Sequence, residues 1–197
     1  RIYFQDGLIQ NRMFSDGQPY TFYTFALEAL AISYRPGMRT ALVLGLGAGV
    51  VPARLAERGI DVTAVEIDPP SFKVAHRYFG LDTAKFRAVQ ADARTYLRSC
   101  GGAHDLVVVD LFHGDGTPDY LITRDFFADL RRCLTPGGAA VFNTFADLQF
   151  TTGYAHFLAT LRAEFPFVTL YRQDEPGARH LNSFVVATLN VPTARPS

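Results

Sequence analysis

Three glycines and three carboxylates are spaced so that they could act on one ligand. The apolar run 41–44 ends at Gly45, Gly47 and Gly49, and a second apolar run, 62–65, ends at Glu66. Strand, glycine turn, helix, strand and carboxylate make the layout of a nucleoside-cofactor half-site. The glycines let main chain turn sharply and approach a ligand with no Cβ in the way, and an acid at the second strand end can accept both hydroxyls of a ribose. Asp92 follows a third short run at 86–89, and Asp110 follows a fourth at 105–109. One acid at a strand end would be chance, but the recurrence over successive strands marks a ligand site at their carboxyl ends. A structural reading competes at each position: a glycine turn that packs a helix on a sheet, and aspartates that cap helices or loops.

The glycine spacing narrows the ligand. A dinucleotide fingerprint, G-x-G-x-x-G, needs glycine at position 50, where Val50 stands, and the third glycine comes one residue early at Gly49. G-x-G-x-G is the pattern of S-adenosylmethionine-type folds. A pyrophosphate also favours a basic or hydroxyl neighbour at the turn, and Ala48, Val50 and Val51 provide none. The motif therefore favours an adenosyl-sulfonium cofactor over a dinucleotide.

The elements that must position these residues follow from periodicity and punctuation. Residues 1–10 predict two short strands around Gln5-Asp6-Gly7, and 11–19 a polar loop. A helix at 20–34, with Phe22, Tyr23, Phe25, Leu27 and Leu30 as its buried face, is stopped by Arg35-Pro36-Gly37. Then come strand 41–44, helix 50–58, strand 61–66 and a helix opened by Pro69-Pro70 and running to residue 78. Strand 86–89, helix 93–99, strand 105–109, loop 111–120 and helix 123–133 follow. Thr135-Pro136-Gly137-Gly138 turns into strand 139–143, and helix 153–164 precedes strands 167–172 and 183–189. The expected fold is α/β and Rossmann-like, as in S-adenosylmethionine-dependent methyltransferases: a mostly parallel seven-stranded sheet with a terminal antiparallel hairpin, plus an N-terminal β-hairpin. The domain reading is 1–19 as a hairpin appendage and 20–197 as the cofactor-binding unit.

Composition sets outer limits. A chain of 197 residues with 48% hydrophobic residues, 17 Phe and no Trp suits one domain with a full aromatic core. Lys+Arg 19 against Asp+Glu 19 gives neutrality, which speaks against a nucleic-acid partner. Cys100 and Cys133 form no C-x-x-C pattern, so a reducing compartment is expected, and cysteine–histidine metal spacing is absent, so no metal is expected. No run approaches the ~20 apolar residues of a membrane span, and no signal-peptide pattern opens the chain. A cytoplasmic location is expected, or the cytoplasmic face of a membrane if the chain, which starts at Arg1, is excised from a longer one.

With these positions in hand, the chain resembles the spermidine synthase family of aminopropyltransferases, and in particular bacterial spermidine-synthase-like domains, some of them fused to membrane segments. Asp6-Gly7 with Gln10 looks like the family's "L-D-G-x-x-Q" hairpin, and VLGLGAG stands where the family has "G-G-G-D-G". VEID matches the ribose-binding strand end, and LTPGG the turn before the fifth strand. VVVDLFHGDGTPDYLITRDFF aligns without a gap on "D-S-S-D-P-x-G-P-x-x-x-L-[FY]-[ST]-x-x-F-[YF]".

The resemblance implies roles. Asp92-Ala93 would hold the adenine amino group, although Asp92 equally suits a cap for helix 93–99. Gln10 and Tyr23 would line the substrate side, with a plain core aromatic as the alternative for Tyr23. Asp110 would accept the proton of an attacking amine and steer its cation, beside a loop able to close over substrate. His113 in that loop is a second proton carrier or a solvated histidine. His76, His104, His156 and His180 read as structural, and Arg131-Arg132 as solvated surface. Several family residues are replaced: Ala48 stands at the glycine-loop carboxylate, Phe25 at the acid of "Y-x-E", Ala29 at a histidine, and His113 at the second Asp of "D-S-S-D". Each charge-assisted contact to a polyamine contributes roughly 1.5–3 kcal/mol, so these losses weaken that site unless Asp115 and Asp119 compensate.

Three readings stay open. The first is aminopropyl-type transfer to a small-molecule amine from S-adenosylmethionine or its decarboxylated form. The second is methylation of a small molecule. The third is a non-catalytic adenosyl-binding domain of a larger assembly. The resemblance also implies a homodimer.

Overall fold

The structure is a computed structural model that describes residues 1–197 except 6–7, 17–19, 81, 83, 112–117, 148–150, 173–179 and 193–197. The chain opens with β1 (Ile2–Gln5) and β2 (Leu8–Arg12), paired antiparallel as a separate two-stranded sheet. There follow α1 (Phe22–Tyr34), β3 (Thr40–Leu44), α2 (Val50–Glu57), β4 (Asp61–Glu66), α3 (Pro69–Phe79) and β5 (Arg87–Gln90). After α4 (Ala93–Ser99) and β6 (His104–Val109), a 3-10 turn (Asp119–Leu121) leads to α5 (Arg124–Cys133). β7 (Leu134–Asp147), α6 (Thr151–Arg162), β8 (Phe167–Arg172) and β9 (His180–Thr188) complete the fold.

The main sheet runs β5-β4-β3-β6-β7-β9-β8. Its first five strands are parallel, while β9 is antiparallel to both β7 and β8. The expected α/β architecture is therefore present. The central strands are near-continuous apolar runs because helices cover both faces. Leu27, Leu55 and Leu106 fill one layer with Val43 and Val141. Phe126, Phe127, Phe142 and Phe157 fill the other, with edge-to-face contacts at ring separations of 5.8–5.9 Å. No helix among the described residues is long and apolar enough to cross a membrane.

Connectivity fixes where a ligand can sit. The chain steps outward from β3 through β4 to β5, then returns to place β6 on the other side of β3. β3 and β6 thus flank the point where strand order reverses, the crevice where open α/β sheets bind ligands. Leu44 and Val109 are paired as the last residues of the two strands, so Gly45 and Asp110 come next on adjacent ends.

Local corrections to the sequence reading have physical causes. Asn11 and Arg12 belong to β2 rather than to a polar loop, because they pair with Tyr3 and Ile2 beyond an irregularity at Tyr3/Phe4. The predicted turn at 135–138 is absorbed into β7: His104 pairs with Leu134 and Leu106 with Ala139, so the chain bulges there without leaving the sheet. On α1, Leu27 and Leu30 are buried, but Phe22 and Phe25 are 53% and 39% exposed. The Arg54 guanidinium lies 4.8 Å over the Phe25 ring, and α1 is held to α2 through buried Glu28, which pairs with Arg54 and with Arg58. Arg131 and Arg132 are exposed, as expected, but bridge to Glu164 and Asp129.

At the start of β6, the Asp105 carboxylate accepts bonds from Arg35, from the backbone N–H groups of Arg39 and Thr40, and from the hydroxyl of Thr135. Burial opposes its ionisation, yet these donors hold the carboxyl well below the usual range. Beside it, Cys100 at the end of α4 and Cys133 at the end of α5 form a disulfide. That corrects the reading of two cysteines without a pairing pattern: α4 and α5 pack side by side and finish together at the amino end of β6.

Candidate active site

A cleft of about 810 Å³, counting its open mouth, lies at the carboxyl ends of the parallel strands. Its floor is Gly45, Gly47, Val65 and Glu66, with Asp92 and Ala93 on one flank and Asp110 with Tyr23 on the other. Predicted site residues from five separate segments therefore meet in one place.

Gly45 has φ +95°, and a Cβ there would strike the backbone carbonyl of Asp110. This glycine is what lets the two strand ends close together. Gly45 N–H donates to Val65 and Asp110 N–H to Leu44, at 2.8 Å each, so the floor is stitched by main chain. Gly49, at φ +77°, takes the left-handed position that opens α2 and is buried; it does not line the cleft. Ala48 also turns away, packed with Tyr3, Val50 and Phe79.

Glu66 has two structural bonds. One oxygen accepts the N–H of Leu46 at 3.0 Å and the other that of Asp68 at 2.8 Å. A carboxylate has about four lone-pair sites, so one acceptor site on each oxygen remains for a ligand. Asp92 accepts the N–H of Thr95 at 2.8 Å through Oδ1, so it caps α4 as well as lining the cleft. Asp68 accepts the Ser71 hydroxyl at 3.0 Å, and Ser71 meets the Tyr3 hydroxyl at 3.2 Å. This chain of contacts ties the hairpin to α3 at the cleft wall.

Asp110 is recessed in the cleft and accepts one bond, from the Asn143 amide at 2.8 Å. Burial, aided by the nearby Glu66 charge and opposed by the Asn143 bond, pushes its carboxyl up to about 6. Tyr23 stands near enough that burial and the Asp110 charge push its phenol well above the usual tyrosine range, against a 3.2 Å bond from Asn11. Asn11 in turn accepts from Thr21, which accepts the N–H of Arg12, so the hairpin sets the position of Tyr23.

Sequence reasoning missed Tyr3, Ser71, Tyr120 and Leu121 on the cleft wall, and Asn11 and Asn143 behind Tyr23 and Asp110. Asn143 had one legible signal: it ends the predicted strand next to β6. His113 and Asp115 lie outside the described residues, as do Asp6-Gly7 of the predicted turn. For Gln10 only its place in β2 is described.

A methyltransferase-domain family profile matches residues 41–138, the span from β3 through the bulge of β7. A spermidine synthase solved in complex with the transition-state analogue AdoDATO superposes with a TM-score of 0.76 at 17% identity, covering 87% of this chain and 64% of that one. Human methyltransferase-like protein 13 in complex with SAH gives 0.73 at 24% identity, covering 90% and 86%. The fold is thus the one shared by spermidine synthases and S-adenosylmethionine-type methyltransferases. In sequence, the chain is 32% identical over 179 residues to the polyamine aminopropyltransferase of Vibrio vulnificus, covering 87% of this chain and 58% of that protein. In sequence and motifs the chain is thus similar to polyamine aminopropyltransferases, and it spans less than two thirds of the Vibrio protein's length.

Proposed function

We propose that the chain is the catalytic domain of a spermidine-synthase-like transferase. It binds S-adenosylmethionine or its decarboxylated form in the cleft and moves an aminopropyl-type group to a small-molecule amine. Glu66 takes the ribose, Asp92 and Ala93 the adenine, and the main chain of Gly45 and Gly47 the sulfonium end. Asp110 accepts the proton of the attacking amine, with Tyr23 beside it. The observation that carries this reading is Asp110: a carboxylate recessed at the strand-reversal crevice, beside the glycine turn, with its pKa raised toward neutrality. A base with a pKa near working pH is suited to take a proton as the carbon–nitrogen bond forms. The sulfonium supplies the leaving group, so the protein's work is alignment and proton removal.

A second reading, methyl transfer from S-adenosylmethionine, is favoured by Ala48. The glycine turn offers no carboxylate to the amine of a decarboxylated cofactor and no repulsion to the carboxylate of the intact one. Calorimetry with both cofactors separates the readings. Tighter binding of the decarboxylated form supports aminopropyl transfer, and tighter binding of the parent supports methylation. A folded protein that binds neither overturns both and leaves a non-catalytic domain.

A further inference from the structure

At the opposite end of β6 from Asp110, three soft or borderline ligand groups converge. Cys100 follows the last turn of α4, His104 opens β6 and Cys133 closes α5. Their ligand atoms all lie within 4.8 Å of one another. A separate observation points the same way. His104 is only 9% exposed, and its Nδ1 is buried without a hydrogen-bond partner among the described residues. Buried ring nitrogens are ordinarily satisfied, and an orphaned one calls for a partner.

The two sulfurs have two chemical states. As a disulfide they have no charge to offer a metal. A dithiol reductant converts them to thiols by a two-electron, two-proton exchange and is itself oxidised to a disulfide. We infer that this reduction uncovers a zinc site made of the Cys100 and Cys133 sulfurs and the His104 imidazole. Binding Zn²⁺ expels both thiol protons to solvent, and the neutral imidazole donates a lone pair with no proton change. Tetrahedral zinc with Zn–S of about 2.3 Å and Zn–N of about 2.0–2.1 Å sets its ligand atoms roughly 3.5–3.8 Å apart, inside the observed 4.8 Å spacing.

The surroundings permit the sulfurs to separate. Cys100 is half-buried and is followed by Gly101 and Gly102, where an added Cβ would meet nothing within 4 Å. The backbone N–H groups of Gly102 and Ala103 bond the carbonyls of Arg132 and Cys133 at 2.7 and 3.0 Å, so the separation falls to the half-buried Cys100 side chain. Cys133 and His104, on regular elements, stay fixed. Five residues of β6 lie between His104 and Asp110, six strand steps or about 20 Å, so zinc here acts on the fold and not on the transfer chemistry.

The test uses the whole chain, reduced with a phosphine under argon, freed of metal, and checked by thiol counting. Zinc is titrated against a chromophoric chelator, and cobalt(II) serves as a spectroscopic probe. The reduced protein should bind one zinc, the oxidised protein none, and cobalt should show a thiolate charge-transfer band in the near ultraviolet. His104→Ala should weaken zinc at least tenfold while circular dichroism shows the fold retained. Cys100→Ser should lower the charge-transfer intensity by about half, which keeps the test decisive if a Cys133 variant does not fold. The inference is overturned by sulfurs that no reductant releases, by a folded reduced protein that takes up no zinc, by cobalt without the thiolate band, or by His104→Ala binding as tightly as the parent.

Discussion

Among the described residues, Asp110 has one side-chain donor, and its effect can be measured. Replacing Asn143 by alanine removes the bond that holds the Asp110 carboxyl down. The acidic limb of the transfer rate, expected near pH 6 in the parent, should then move to higher pH. A pH–rate profile checks this, and an unshifted limb would show that another group titrates. Asp110→Asn should lower turnover by about 10²–10⁴ with adenosyl-cofactor affinity kept, as read by single-turnover assay and calorimetry. Surviving turnover would remove Asp110 from the mechanism. Asp92 teaches the limit of reading acids from sequence: it both caps α4 and faces the cleft, and the spacing supports either role alone.

The glycine turn and the strand ends around it were legible because backbone chemistry there is unforgiving. Gly45→Ala places a Cβ against the Asp110 carbonyl and forces a residue with a side chain to φ +95°. Thermal unfolding should show a loss of about 1–3 kcal/mol or more, with cofactor binding abolished because the floor must part. Gly47→Ala, whose Cβ would meet nothing within 4 Å, should fold closer to the parent and lose mainly affinity. Seven strands and six helices could be read because apolar runs end in proline, glycine or acid. The exposed aromatics of α1 could not, because Phe22 and Phe25 fit the helical period as well as Leu27 and Leu30. Which side faces solvent is settled by Glu28 and Arg54, contacts 26 residues apart. Tyr3 and Ser71 were missed for the same reason: their meeting joins residues separated by 68 positions.

The Cys100–Cys133 bridge closes a loop of 33 residues, which by chain entropy stabilises the molecule by about 3–4 kcal/mol. A reductant without metal should lower the melting temperature, and an unchanged melt would show that the bridge does not form in solution. Asp105 and Asp110 stand at the two ends of β6 with carboxyls displaced in opposite directions. Asp105, depressed, contributes stability above its unfolded value of about 4 and loses it as acid protonates the folded carboxyl. Asp110, raised, contributes fully below about 4 and loses its share as pH climbs through about 6. Asp105→Asn should therefore be most damaging at neutral pH, and Asp110→Asn should melt higher than the parent there. One strand thus carries a conflict between endurance and work. Mild acid favours both of its ends and leaves Asp110 protonated, so if Asp110 is the base proposed above, the conditions that ready it for proton removal are those in which the folded chain is less secure.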